Sequence, residues 1–207
     1  MKKITIVDYG CGNLLSIKRG LEKIGFNSNI SDNKKTILDS THLILPGVGA
    51  FENAMNLLNK KDLVNTIKTS AIEKKTPLLG ICLGMQLLLT KSYEFGEHNG
   101  LNLIAGEVKH IKSISNKNIK VPNIGWNEIK IKKDCELIKE FNDKSFYFIH
   151  SFVSITNENI NTVSYCNYFN LSIPSIIKKD KIIGCQFHPE KSGVNGLKFL
   201  ANFCNLI

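Results

Sequence analysis

The stretch PLLGICLGMQLLL, residues 77–89, decides how this chain is read. An apolar run of strand length, residues 77–81, leads directly into Cys82, and LGMQLLLTK, residues 83–91, continues with helical composition. Gly80 and Gly84 box the cysteine. G-x-C-x-G is the pattern of an elbow in which a strand turns abruptly into a helix and a nucleophile is held in a strained conformation. Small flanking residues are needed because such a turn crowds two backbones together. The helix N-terminus favours negative charge on the sulfur, and the Leu83 N–H faces the place where an oxyanion would form. A small apolar residue in a core strand is the competing reading, and the motif alone leaves both open.

Working outward, the first 90 residues alternate strand and helix signals. Residues 3–9 (KITIVDY) form a β-branched run, followed by a helical pattern over 14–24 that stops at Gly25. HLILPGVG, residues 42–49, is a second apolar run ending in a Pro/Gly turn, and residues 50–74 carry helical spacing through Leu57, Leu58, Leu63, Val64 and Ile67. Continuous apolar strands alternating with helices imply a parallel sheet covered on both faces. The second half alternates with period two in GEVKHIKS, NEIKIKK, SFYFIHSFVSI and NTVSYCNYF, and residues 175–188 read as a hairpin turning at Lys179, Asp180 and Lys181. A helix over 193–206, with Leu197, Leu200, Ala201 and Cys204 on one face, closes the chain. The expected fold class is α/β: three layers around a mostly parallel central sheet, with an added antiparallel or mixed strand section. One domain over residues 1–207 is expected.

Composition narrows the function classes. The net charge of +9 raises nucleic acid as a partner, but Arg19 is the only arginine among 27 basic residues, and the lysines are scattered. Arginine is the side chain that forks onto phosphate and guanine edges, so nucleic acid is not expected as a partner. No apolar run approaches the roughly 20 residues that span a bilayer, and the first ten residues do not form a signal peptide. No membrane association and a cytoplasmic location are therefore expected. Six cysteines without C-x-x-C or Cys/His ligand spacing favour neither disulfides nor a metal site, and most should be small buried apolar residues.

A cysteine nucleophile needs a histidine, and that histidine needs an orienting group. His98 and His110 lie in polar, exposed-looking surroundings, and His42 begins a strand. His150 is either a satisfied core histidine or a supporting group. His188 stands apart: in GCQFHPEKSG an apolar strand ends in His188, Pro189 and Glu190, and residues two apart project to one side. Glu190 can therefore orient the imidazole, with a strand-end salt bridge as the alternative. The LPGVGAF turn, residues 45–51, presents N–H groups without side-chain obstruction, and Val48 or Gly49 would partner Leu83 as an oxyanion donor. A plain strand-to-helix turn remains the alternative there.

A Gly-rich turn, G-x-C-x-G and H-x-E, in that order, resemble the class I triad glutamine amidotransferases. VDYGCGNLLSIKRGLEKIG, VPNIGWNEIK and FYFIHSF extend the likeness to the glutaminase subunits of imidazole glycerol phosphate synthases, over residues 4 to about 203. That resemblance implies a Cys82–His188–Glu190 triad that hydrolyses L-glutamine to glutamate and ammonia. It implies a glutamine pocket using Gly47 and the rest of the PGVG turn, Leu83 and Gln86, and no cofactor. It also implies a heterodimer with a (β/α)₈-barrel cyclase/synthase subunit that receives the ammonia, with Asn13, Ser16 and Lys191 near that partner. Asn123, where many relatives carry histidine, and Cys11, often proline, depart from the pattern. Related subunits that amidate surface-polysaccharide sugars are the alternative within the family. A stand-alone cysteine hydrolase and a non-catalytic basic binding protein are the alternatives outside it.

Overall fold

The computed structural model describes residues 2–115 and 119–206. Strands β1 (Ile4–Val7), β2 (Ser28–Ser31), β3 (His42–Leu45) and β4 (Leu78–Ile81) alternate with helices α1 (Leu14–Lys23), α2 (Lys34–Leu38), α3 (Phe51–Lys60) and α4 (Val64–Lys68). After Cys82 come α5 (Leu83–Leu87), β5 (Lys91–Ser92), β6 (His98–Asn99) and β7 (Gly106–His110). The remainder is β8 (Asn123–Ile131), β9 (Lys144–His150), β10 (Phe152–Thr156), β11 (Thr162–Tyr168), β12 (Leu171–Lys179), β13 (Ile182–Cys185) and α6 (Gly193–Cys204).

Nine strands form one sheet in the order β2-β1-β3-β4-β13-β12-β11-β8-β9. Its first five strands are parallel, and β12, β11, β8 and β9 continue it antiparallel. A second sheet runs β10-β7-β5-β6. The short parallel strands are apolar on both faces because both faces are covered. Ile4, Ile6, Ile44 and Leu79 pack with Ile17 and Leu21 of α1 and Phe199 and Phe203 of α6. Val7, Leu43, Leu45 and Leu78 pack on the other side with Ile37, Phe51 and Leu58. Burying a side chain of this size contributes about 1.5–3 kcal/mol, so these two cores dominate the favourable side of folding. Among the described residues no helix is long and apolar enough to cross a membrane.

Four expectations are corrected. The helical stretch over 50–74 is three pieces: Asp62 takes φ 52° and ends α3, and Thr69–Glu73 winds as a π-helix after α4. The helix expected over 83–91 stops at Leu87. The carbonyls of Leu87, Leu88 and Leu89 accept from Leu101, Leu103 and Asn102 instead of from a next helical turn. SFYFIHSFVSI is two strands in different sheets, β9 paired with β8 and β10 with β7. On α6 the buried face is carried by Phe199, Leu200, Phe203 and Cys204, while Leu197 and Ala201 are only half-buried. The hairpin does turn where expected, with Asp180 at φ 53° between β12 and β13.

Candidate active site

Parallel α/β sheets gather ligands at the carboxyl ends of their strands. Here β3, β4 and β13 are neighbours, so the PGVG turn, Cys82 and the residues after Cys185 emerge side by side. Cys82 ends β4 with φ 55° and ψ −109°, a strained conformation for a residue with a Cβ, costing about 1–3 kcal/mol. Its N–H is tied to the Cys185 carbonyl at 2.8 Å, and its own carbonyl accepts from Met85 and Gln86. The two glycines allow this turn. A Cβ on Gly80 would lie 2.6 Å from the Gly84 carbonyl oxygen, and one on Gly84 only 1.9 Å from that of Leu45. Both obstacles are backbone and cannot rotate away. Gly84→Ala is expected to cost about 3 kcal/mol, lowering the melting midpoint by about 6–12 °C. A midpoint within 1 °C of wild type in calorimetry contradicts this packing.

His188 follows β13 and caps a 3₁₀ turn, Pro189–Lys191. Glu190 therefore reaches the histidine across a turn, and not by strand alternation as the sequence implied. His188 Nδ1 and Glu190 Oε1 are 2.8 Å apart, with both side chains buried. Gly196 of α6 lets that helix sit against the turn, since a Cβ there would be 1.9 Å from the Pro189 carbonyl oxygen. Burial alone would lower the pKa of His188. Hydrogen bonds to Cys82 and Glu190, and the charges of both, outweigh that and raise it to about 10. With Nδ1 engaged by Glu190, Nε2 is the nitrogen left for Cys82.

Cys82 and His188 open into a cavity of about 470 Å³, large enough for an amino acid, whose wall includes Val48, Gly49, Leu83 and Gln86. Among the described residues, none accepts a hydrogen bond from the backbone N–H of Val48, Gly49 or Leu83. Gly49 takes φ 96°, which frees the turn from a side chain's steric limit. Gly47 is not in the cavity wall. It lies behind the turn, where a Cβ would meet Gly84 N and Leu83 Cβ at 2.8 Å, so it serves close packing of the two loops. Lys191 is exposed at the cavity's edge, its ammonium 6.0 Å from the centre of the Tyr147 ring. Asn13 and Ser16 lie outside the wall. Asn13 precedes α1 and Ser16 is within its first turn, and α1 packs against the 189–191 turn.

Glu94 and Phe95 of the wall carry no sequence signal of their own, and two further buried side chains, His150 in the wall and Gln186 behind it, complete the site. Glu94 comes from a connecting segment, its carboxylate accepting the Phe51 N–H at 2.7 Å, and burial pushes its pKa up. Phe95 projects beside it and is 88% exposed. His150 is buried in the wall between the Phe152 carbonyl, 2.9 Å from Nδ1, and the Asn123 amide, 3.1 Å from Nε2. Burial lowers its pKa to about 4, so it is neutral where His188 is charged. Gln186 is fully buried, with Nε2 3.7 Å from the Cys82 sulfur. Its position two residues before His188 is the signal that would have found it.

Comparison with known proteins bears on the family and the fold. A family model described as glutamine amidotransferase class-I matches residues 5–206. The chain is 46% identical over 208 residues to the imidazole glycerol phosphate synthase subunit HisH of Methanosarcina barkeri, covering 100% of both. It is 43% identical over 205 residues to the protein of the same name from Caldanaerobacter subterraneus subsp. tengcongensis, covering 99% of this chain and 98% of that one. The solved structure of PurLQS from Thermotoga maritima superposes with a TM-score of 0.72 at 17% identity, covering 99% of this chain and 98% of the other, a likeness of fold.

Proposed function

Because the chain belongs to the glutamine amidotransferase class-I family, we propose that Cys82, His188 and Glu190 are the triad with which it opens the side-chain amide of glutamine. The chain is a glutamine-hydrolysing enzyme, and its activity is that of the glutaminase subunit of an imidazole glycerol phosphate synthase in histidine biosynthesis. The observation that carries the triad is the buried 2.8 Å contact between His188 and Glu190 beside the strained Cys82, at the foot of an amino-acid-sized cavity.

In the proposed mechanism the Cys82 sulfur attacks the carboxamide carbon, and the carbonyl π electrons move onto oxygen. The Leu83 N–H and a donor from Val48 or Gly49 hold that oxyanion, where loss of one such donor costs about 3 kcal/mol. The C–N bond then breaks, His188 supplies its proton to the departing ammonia, and a thioester remains. Neutral His188 next takes a proton from water as its oxygen attacks the thioester, releasing glutamate and restoring Cys82. Glu190 keeps the imidazole turned toward Cys82 and stabilises its charged form. Glu94 is the carboxylate of the wall, suited to the α-ammonium of the substrate, and Gln86 lies close enough to contact the bound amino acid.

Ammonia delivered to a synthase needs a covered exit. At and near the mouth, Phe95 is 88% exposed, Trp126 57% and Val48 45%, an apolar rim unusual for a surface that stays wet. Trp126 packs edge-on against Tyr147, over which Lys191 lies. The synthase subunit docks on this rim, with Asn13 and Ser16 at its edge, and the family resemblance makes that subunit a (β/α)₈ barrel. The chain functions as one glutaminase domain in this heterodimer. Trp126 is the only tryptophan, so its emission should shift to the blue on titration with the synthase subunit. Trp126→Ala should weaken binding at least about thirtyfold, as for a central interface anchor. Unchanged emission at saturating partner places the interface elsewhere.

A further inference from the structure

A second polar network, separate from His188 and Glu190, reaches the Cys82 sulfur. Gln86 Nε2 donates to the Phe152 carbonyl at 3.1 Å and to Gln186 Oε1 at 3.3 Å. Gln186 Nε2 then donates to Cys82 Sγ at 3.7 Å. Both glutamine side chains are buried, Gln186 fully.

The Phe152 carbonyl fixes the direction of every bond in this chain. A carbonyl oxygen only accepts, so Gln86 must present its NH₂ group there. The same NH₂ group faces Gln186, which must therefore answer with its oxygen. That leaves the Gln186 NH₂ group, and no other atom of that side chain, for the sulfur. Reversing Gln186 would set two donors against each other in a buried site, an arrangement that costs the full desolvation of both. The Gln186 backbone is anchored too, its N–H donating to the Ser175 carbonyl at 2.9 Å.

We infer that Gln186 is a positioning residue for the reaction: its amide holds the Cys82 sulfur by an N–H···S bond and, through its oxygen, locks the orientation of Gln86 in the substrate cavity. Besides a 3.8 Å contact with the Ile149 carbonyl, the sulfur then has two side-chain partners of different character. His188 exchanges protons with the reaction, whereas Gln186 carries no titratable proton and only donates its N–H to the sulfur. One buried side chain thereby couples nucleophile and binding pocket.

The inference rests on Cys82 being the nucleophile, and the experiment separates the two claims. The full chain with its synthase partner is assayed for glutamine hydrolysis as wild type, Cys82→Ala, Gln186→Glu and Gln186→Met, and each free thiol is timed against iodoacetamide. Gln186→Glu keeps an acceptor for Gln86 but removes the donor to sulfur and places a carboxylate there. Its kcat is expected to fall about ten- to a hundredfold, with KM within about twofold and alkylation slowed in step with kcat. Gln186→Met removes both bonds, so kcat falls and KM rises. Equal effects of the two variants on KM, or wild-type kcat and alkylation in Gln186→Glu, overturn the inference while Cys82→Ala stays inactive. Hydrolysis surviving in Cys82→Ala would overturn the underlying reading instead. Should neither Gln186 variant fold, the wild type decides. The chain has two glutamines, so ¹⁵N-glutamine labelling gives two side-chain amide pairs. One must move strongly when Cys82 is alkylated, and the absence of any movement contradicts the N–H···S bond.

Discussion

Replacing Cys82 with alanine is expected to lower kcat for glutamine hydrolysis by about 10⁶-fold, the loss that removal of a triad nucleophile brings. The effect is large because nothing near Cys82 can substitute for it. Cys185, on the neighbouring strand, is fully buried, with its sulfur turned to the Phe187 carbonyl. Oxyanion donors and the cavity survive the substitution, so glutamine still binds. A Cys82→Ala variant that binds glutamine at wild-type affinity and does not hydrolyse it, measured by calorimetry and ammonia release, is the expected result. Loss of affinity alongside loss of rate would mean that the elbow has refolded.

The second large effect is expected from Glu190→Gln, a drop in kcat of about 10⁴-fold without disruption of the fold. Glu190 Oε1 lies 2.8 Å from His188 Nδ1, whereas Oε2 has no hydrogen-bond partner among the described residues. An amide has the shape of the carboxylate but can present a donor, which favours the wrong imidazole tautomer and removes the charge that faces the imidazolium. The His188 titration should therefore move down from about 10, read from the histidine ring resonances. A stability signature accompanies it. Since the folded pKa of His188 lies above its unfolded value of about 6.5, its contribution is complete below about pH 6.5 and is lost as pH rises toward 10. Glu190→Gln should narrow its stability deficit relative to wild type across that window. A deficit constant from pH 6 to 10 would deny the coupling.

Much of this site was legible because its chemistry sits where local sequence dictates backbone. Gly80 and Gly84 announce an elbow, and the structure supplies the reason in two backbone clashes that any Cβ would create. Pro189 likewise marks a stop, although the stop is a 3₁₀ turn and not the end of a strand. Glu94 was illegible for the opposite reason. Nothing in its neighbours requires a carboxylate, and its role is set by the distant Phe51 amide. The helices were overextended where tertiary hydrogen bonds outcompete propensity, as at Leu87 to Leu89. The small strands β5 and β6, two residues each, are defined by pairing and carry no period to read. Gly47 was assigned to the pocket by its motif, yet its lack of a side chain serves the contact with Leu83 and Gly84.

The central claim is that Cys82 is the nucleophile of a glutaminase. Its most direct test is intact-mass analysis of the full chain, with its synthase partner, after exposure to a glutamine-derived electrophile. The account predicts a single adduct, mapped to Cys82, slowed by excess glutamine and absent from Cys82→Ala. An adduct on another of the six cysteines, or one that persists in Cys82→Ala, contradicts it.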